Sequence, residues 1–116
     1  MSPPDRAAVE KSFKQQGVQT VLPDLNYRYL TAHGTADFQG VQVPQLVFYR
    51  ADNDGSNHAV VYVLSEKQFK LKDVPTNYVS PTGYQYKVTI LHQAHGSFAY
   101  VVVHTGENVE WLKNPQ

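Results

Sequence analysis

The feature that most constrains this chain is residues 84–112, YQYKVTILHQAHGSFAYVVVHTGENVEWL. Tyr84, Tyr86, Val88 and Ile90 alternate with Gln85, Lys87 and Thr89, the period of two expected of a half-buried strand. Residues 98–103 are apolar throughout, with three valines in succession, as in a central strand covered on both faces. Val101 and Val103 are its expected core residues. Residues 92–97 supply the turn between the two strands, with Gly96 free to adopt a positive φ. Thr105 can cap a short terminal helix starting near Glu107, which would turn Val109 and Leu112 toward the sheet beside Trp111.

The upstream chain reads as material that completes this sheet. Residues 2–16 predict one sizeable helix, with Ser2 as N-cap, Pro3 in the first turn and Asp5 at the acidic capping-box position. Its stripe of Ala7, Ala8, Val9 and Phe13 is thin, and Gly17 stops it. Residues 18–26 connect it to a strand at 27–32, which Gly34 ends by a bulge or turn. A short element follows over 37–43 with Gly40 as pivot, and Pro44 breaks ladder pairing, so that the strand 45–50 either starts there or lies at an edge. The polar loop 52–57 leads into the strand 58–64. Ser65 opens a single helical turn through residues 69–71, and residues 72–83, with Pro75, Pro81 and Gly83, read as a long loop. Short polar links favour antiparallel neighbours. The expectation is a single α+β domain over residues 1–116: an N-terminal helix packed on an antiparallel sheet of four to five strands spanning 27–112, with a short C-terminal helix.

Composition removes several functions. Ten basic and ten acidic side chains balance to a net charge of zero, whereas a nucleic-acid binder carries a basic surplus. Cysteine is absent, so disulfides and thiolate metal sites are excluded. No window reaches the roughly 18 apolar residues of a membrane helix, and no signal peptide follows Met1.

Motifs for catalysis are lacking: there is no nucleophile elbow, phosphate loop, paired-histidine zinc helix or dinucleotide fingerprint. Aligning Gly55 with the glycine of a calcium loop puts Arg50 and Val61 where oxygen donors are required, so that match fails. Lys67, Lys70 and Lys72 around Phe69 are diluted by Glu66 and Asp73, as on a solvated face. His92 and His95 flank the hairpin tip and are the candidate metal ligands, although a third ligand must come from elsewhere. Equally, they suit a solvated turn. No cofactor is expected.

A strand, a turn ending at Gly96, the strand of Phe98 and Tyr100 to Val103, and an acidic helix over 107–112 resemble the end of the extracytoplasmic domain of bacterial membrane-bound anti-sigma factors. Residues 43–48 and 60–65 are similar to that group's paired strands. The resemblance covers about residues 27–112. It implies a non-enzymatic sensory or interaction domain on the periplasmic side of a membrane-anchored regulator, with the helix at 2–16 as the stub from a preceding membrane span. The cytoplasmic sigma-binding region and the span itself are lacking in this sequence. The alternative is a free-standing metal- or small-molecule-binding domain using His92 and His95. For the first reading, the expected partner is a protein or a small ligand at an edge strand, 27–32 or 45–50, where unpaired backbone groups can receive another strand.

Overall fold

The computed structural model describes residues 5–18, 20–52, 55–71, 77–79, 83, 85–93 and 96–113. One helix, α1 (Arg6–Gln15), precedes six strands: β1 (Leu30–Phe38), β2 (Val41–Asp52), β3 (Gly55–Ser65), β4 (Asn77–Val79), β5 (Gln85–His92) and β6 (Phe98–His104). They form one antiparallel sheet in the order β1-β2-β3-β6-β5-β4. The α+β class and antiparallel sheet agree with the sequence reading. The five long strands are joined by β4, three residues inside what reads as a loop, which pair with β5 from Asn77↔Lys87 to Val79↔Gln85. Residues 72–76 and 80–82 of that loop lie outside the described residues.

The helix begins later than expected. Its cap is Asp5, whose carboxylate accepts from the Ala8 N–H at 2.9 Å; the expected cap Ser2 and first-turn Pro3 lie outside the described residues. It ends as predicted at Gly17, with φ +78°. The Gly17 N–H donates to the Lys14 carbonyl and the Val18 N–H to that of Phe13. This pair of bonds is the Schellman closure, for which glycine is favoured. Ala7 and Ala8 are exposed, and the buried stripe reduces to Val9 and Phe13.

Alternation along the strands divides the core in two. On the helix side, Val9 and Phe13 meet Leu46, Phe48, Val61, Val63, Tyr100 and Val102. On the opposite side, Val43, Leu64 and Val101 gather around Phe69, which is held there by the turn at Ser65. The Gln68 and Phe69 N–H groups donate to the Ser65 carbonyl, and the Lys67 N–H to its hydroxyl. Val101 is 1% exposed, while Val103 is only half-buried. Of the two expected core valines, only Val101 is therefore fully enclosed.

Val101→Ala should cost about 2 kcal/mol, from two lost methyls and the cavity they leave. Gln85 is exposed on β5, and Gln85→Ala should stay within about 0.5 kcal/mol. Urea midpoints for the two variants would check this, and equal midpoints would remove Val101 from the core.

Three further expectations change. Gly34 neither bulges nor turns but continues β1 opposite Gln45. The turn falls at Gln39–Gly40, both at positive φ (51° and 86°), the geometry of a two-residue hairpin turn matched to strand twist. Thr105 does not cap a terminal helix: its hydroxyl accepts from the His58 N–H at 3.0 Å. The closing helix is a single 3-10 turn, Glu110–Leu112, with no side-chain cap. Val109 and Leu112 are nonetheless buried as expected.

Candidate functional site

The free long edge of the sheet is β1. With a two-residue turn at Gln39–Gly40, the flanking pair Phe38↔Val41 is hydrogen-bonded, and bonded and non-bonded pairs then alternate along the hairpin. Ala36↔Val43 is bonded and Thr35↔Pro44 is not. That places Pro44, which has no N–H to give, where β1 asks nothing of it. Its nitrogen faces β3 instead, and the β2–β3 register stops one residue short of it, at Gln45↔Tyr62.

The same alternation fixes the outer side of β1. His33, Thr35 and Asp37 direct their backbone N–H and C=O groups away from β2. Among the described residues β1 ends the sheet, and no described strand receives them. Their side chains are exposed, and those of Gly34 and Ala36 are small. Sheet edges are ordinarily guarded by Lys, Pro, bulges or brevity. Here the register shift at Leu30/Ala32 guards one end, whereas residues 32–37 contain neither Lys, Arg nor Pro. The opposite edge, β4, is protected by its length of three residues.

Of the two edge segments expected from sequence, residues 27–29 form a 3-10 turn and the edge strand starts at Leu30. Residues 45–50 lie within β2, paired on both sides by β1 and β3. Pro44 suggested an edge, but one proline at a strand position facing the end of a ladder does not create one. The terminal hairpin is internal on its β6 side, as expected, because β6 lies between β3 and β5.

The histidines are dispersed. His92 is exposed, and its Nδ1 lies 3.2 Å from a Glu66 carboxylate oxygen; His95 lies outside the described residues. His33 meets the Phe13 ring edge-on at 5.9 Å, and His58 packs on Tyr49 at 4.7 Å. His104 is fully buried. Its Nδ1 lies 3.1 Å from the Thr105 carbonyl, an atom that can only accept, so Nδ1 carries the hydrogen. The Thr89 hydroxyl, 2.7 Å from Nε2, can then donate to the other nitrogen. Both polar atoms of this buried ring are satisfied, which is what burial demands. Among the described residues no three His, Asp or Glu side chains converge as a metal site would require.

Elsewhere polar chemistry serves the fold. The connection over residues 20–26 is tied down by the Tyr100 hydroxyl, which donates to the Val21 carbonyl at 2.8 Å, and by the Tyr27 hydroxyl, which donates to that of Pro23 at 2.9 Å. The Glu10 carboxylate accepts from the Leu22 N–H at 2.9 Å. Burial raises both phenols above the ordinary tyrosine range. Lys87 pairs with the exposed Glu107 and holds that carboxylate below its usual value, first by their hydrogen bond and then by charge. The Arg50 guanidinium stands 6.0 Å from the Trp111 ring centroid, on the wall of a shallow cleft of about 470 Å³.

Among the described residues no helix is long and apolar enough to cross a membrane. No protein-family model, curated protein or solved structure matches the chain.

Proposed function

We propose that this chain is a non-enzymatic interaction domain whose working surface is the outer edge of β1, where it takes up an extended segment of a protein partner as an added strand. The observation that carries the reading is the row of outward backbone groups at His33, Thr35 and Asp37, flanked by the small residues Gly34 and Ala36. Main-chain bonds supply affinity in this mode, and the alternate side chains beside them supply selectivity. The setting implied by the anti-sigma-factor resemblance is an extracytoplasmic sensory domain of a membrane-anchored regulator. There a captured strand would change the state of the membrane-side partner. The alternative, a metal- or small-molecule-binding domain built on His92 and His95, has less support: His92 is engaged with Glu66.

Thr35→Pro tests the proposal with little damage to the sheet. It removes an N–H that points outward and leaves the β1–β2 ladder its bonds. Peptides selected from a displayed random library against the full chain should lose at least tenfold in affinity for Thr35→Pro. Amide exchange should slow at His33, Thr35 and Asp37 when such a peptide is bound. Peptides that bind the variant equally well, with protection confined to residues 92–97, would overturn the β1 assignment and favour the histidine turn.

A further inference from the structure

Resting on that reading of β1, we infer that one occupant of the edge is a second copy of this chain, paired antiparallel about a two-fold axis through Thr35. The register follows from the residues. Antiparallel self-pairing centred on Thr35 sets Thr35 against its own copy and His33 against Asp37, twice. All three positions point their backbone groups outward, so each becomes a hydrogen-bonded pair. Every outward N–H and C=O of His33, Thr35 and Asp37 is then satisfied across the junction.

The side chains agree with the backbone. His33, Thr35 and Asp37 share the helix side of the sheet, opposite Leu46, Pro44 and Gln42 on β2. Each imidazole would face the partner's carboxylate at cross-strand distance, where a ring N–H can donate to a carboxylate oxygen and where two like charges would destabilise the pair. On the other side Gly34 stands against Ala36 and Ala32 against Phe38, so small residues occupy the centre. The axis is perpendicular to the sheet, which keeps like faces together and extends six strands to twelve. A junction of two single strands lies below the size of a standard stable interface, so the dimer is a weak one. Its dissociation constant should lie in the high micromolar range.

Both side chains also have duties within the chain: the Asp37 carboxylate accepts from the Gly40 N–H at 3.4 Å, and His33 meets Phe13. A loss of dimer in one variant could therefore arise from a loosened β1. Mixing removes that ambiguity. His33→Asp sets two aspartates against each other in its own dimer, and Asp37→Lys sets His33 against lysine. In an equimolar mixture one cross-strand pair is again histidine with aspartate, and the other sets the introduced carboxylate against the introduced ammonium.

Sedimentation equilibrium of the full chain between about 10 µM and 1 mM should show a monomer–dimer equilibrium. Each single variant should weaken it by roughly tenfold, the mixture should restore it, and Thr35→Pro should abolish it. A chain that stays monomeric up to 1 mM, a mixture no tighter than its components, or a dimer that persists in Thr35→Pro would each overturn the inference. Monomeric behaviour accompanied by peptide binding sensitive to Thr35→Pro would overturn self-pairing alone and leave the edge-docking proposal standing. Peptide binding insensitive to that variant would count against the edge itself.

Discussion

Phe48→Ala should destabilise the protein by about 3–5 kcal/mol, the range for deleting a buried phenylalanine from a packed core. Phe48 is fully buried on β2 and belongs to the core against which α1 lies. Its ring also meets that of Tyr27 edge-on at 5.7 Å, a contact worth about 0.5–1.5 kcal/mol beyond area alone. Deleting it removes a wall from the residue whose hydroxyl secures the Pro23 carbonyl. The effect should therefore spread to the connection over residues 20–26. For a domain whose whole stability is on the order of 5–15 kcal/mol, thermal unfolding should begin well below that of the parent chain. A midpoint lowered by only a degree or two would mean that β2 is not the interior strand described above. Tyr49→Ala is the matched control: its side chain is 39% exposed, and its removal should cost far less.

The second large effect is alkaline. Tyr27 and Tyr100 are held protonated in the folded state, chiefly by burial, and each donates its hydrogen to a carbonyl of the 20–26 connection. Ionisation would remove both donors and press a phenolate against a carbonyl oxygen. The sign follows from linkage: the unfolded phenols release their protons near pH 10, the folded ones only above it. Their contribution is thus complete below about pH 10 and is lost as pH rises from there toward the folded values. Each phenol that stays protonated in the fold should contribute a fall of up to about 1.4 kcal/mol per pH unit in that window. Unfolding by urea at pH 8, 9, 10 and 11 measures the slope. The Tyr27→Phe, Tyr100→Phe double variant should be less stable at pH 8, because the buried Pro23 carbonyl loses its donor at about 1–3 kcal/mol and the half-buried Val21 carbonyl loses its own at a smaller cost. It should also fall more gently above pH 10. Parallel curves for parent and variant would show that other groups govern alkaline unfolding.

Strand content was legible in the sequence wherever alternation was strong, as in Gln85–His92, or a run was apolar throughout, as over residues 98–103 of β6. The helix stop at Gly17 was legible because a left-handed residue after an amphipathic stripe has few other uses. The first hairpin was legible only at its pivot, Gly40, and not in the long strands on either side of it. Gln39–Gly40 lacks the asparagine or aspartate that usually marks a two-residue turn. Gly34 and Pro44, each a local signal for interruption, sit at positions where the sheet tolerates them. Gly34 is on an edge strand, and Pro44 is where a ladder ends. That misreading also displaced the candidate site, because reading a break at Gly34 shortens β1 and frees β2. Once the hairpin is closed across residues 38–41, β2 moves inside and the whole of β1 becomes the edge. The tyrosine ties were invisible for a different reason. Tyr100 and Val21 are 79 positions apart in the chain, and no local pattern records so distant a bond.

The strand order has a consequence for how the chain is made. β1, β2 and β3 follow one another as adjacent hairpins and can close as soon as residue 65 leaves the ribosome. β3 must then wait for β6, which is 33 residues further on by the register Ser65↔Phe98. At about 5–20 residues per second, that wait lasts roughly two to seven seconds. Throughout it the VVYVLS half of β3, the most apolar strand of the first hairpins, is a bare edge bearing valines and a leucine. Transiently exposed edges of this kind are where nascent chains associate wrongly. The growing chain is therefore most exposed to misassembly at β3, an edge that the finished protein no longer has.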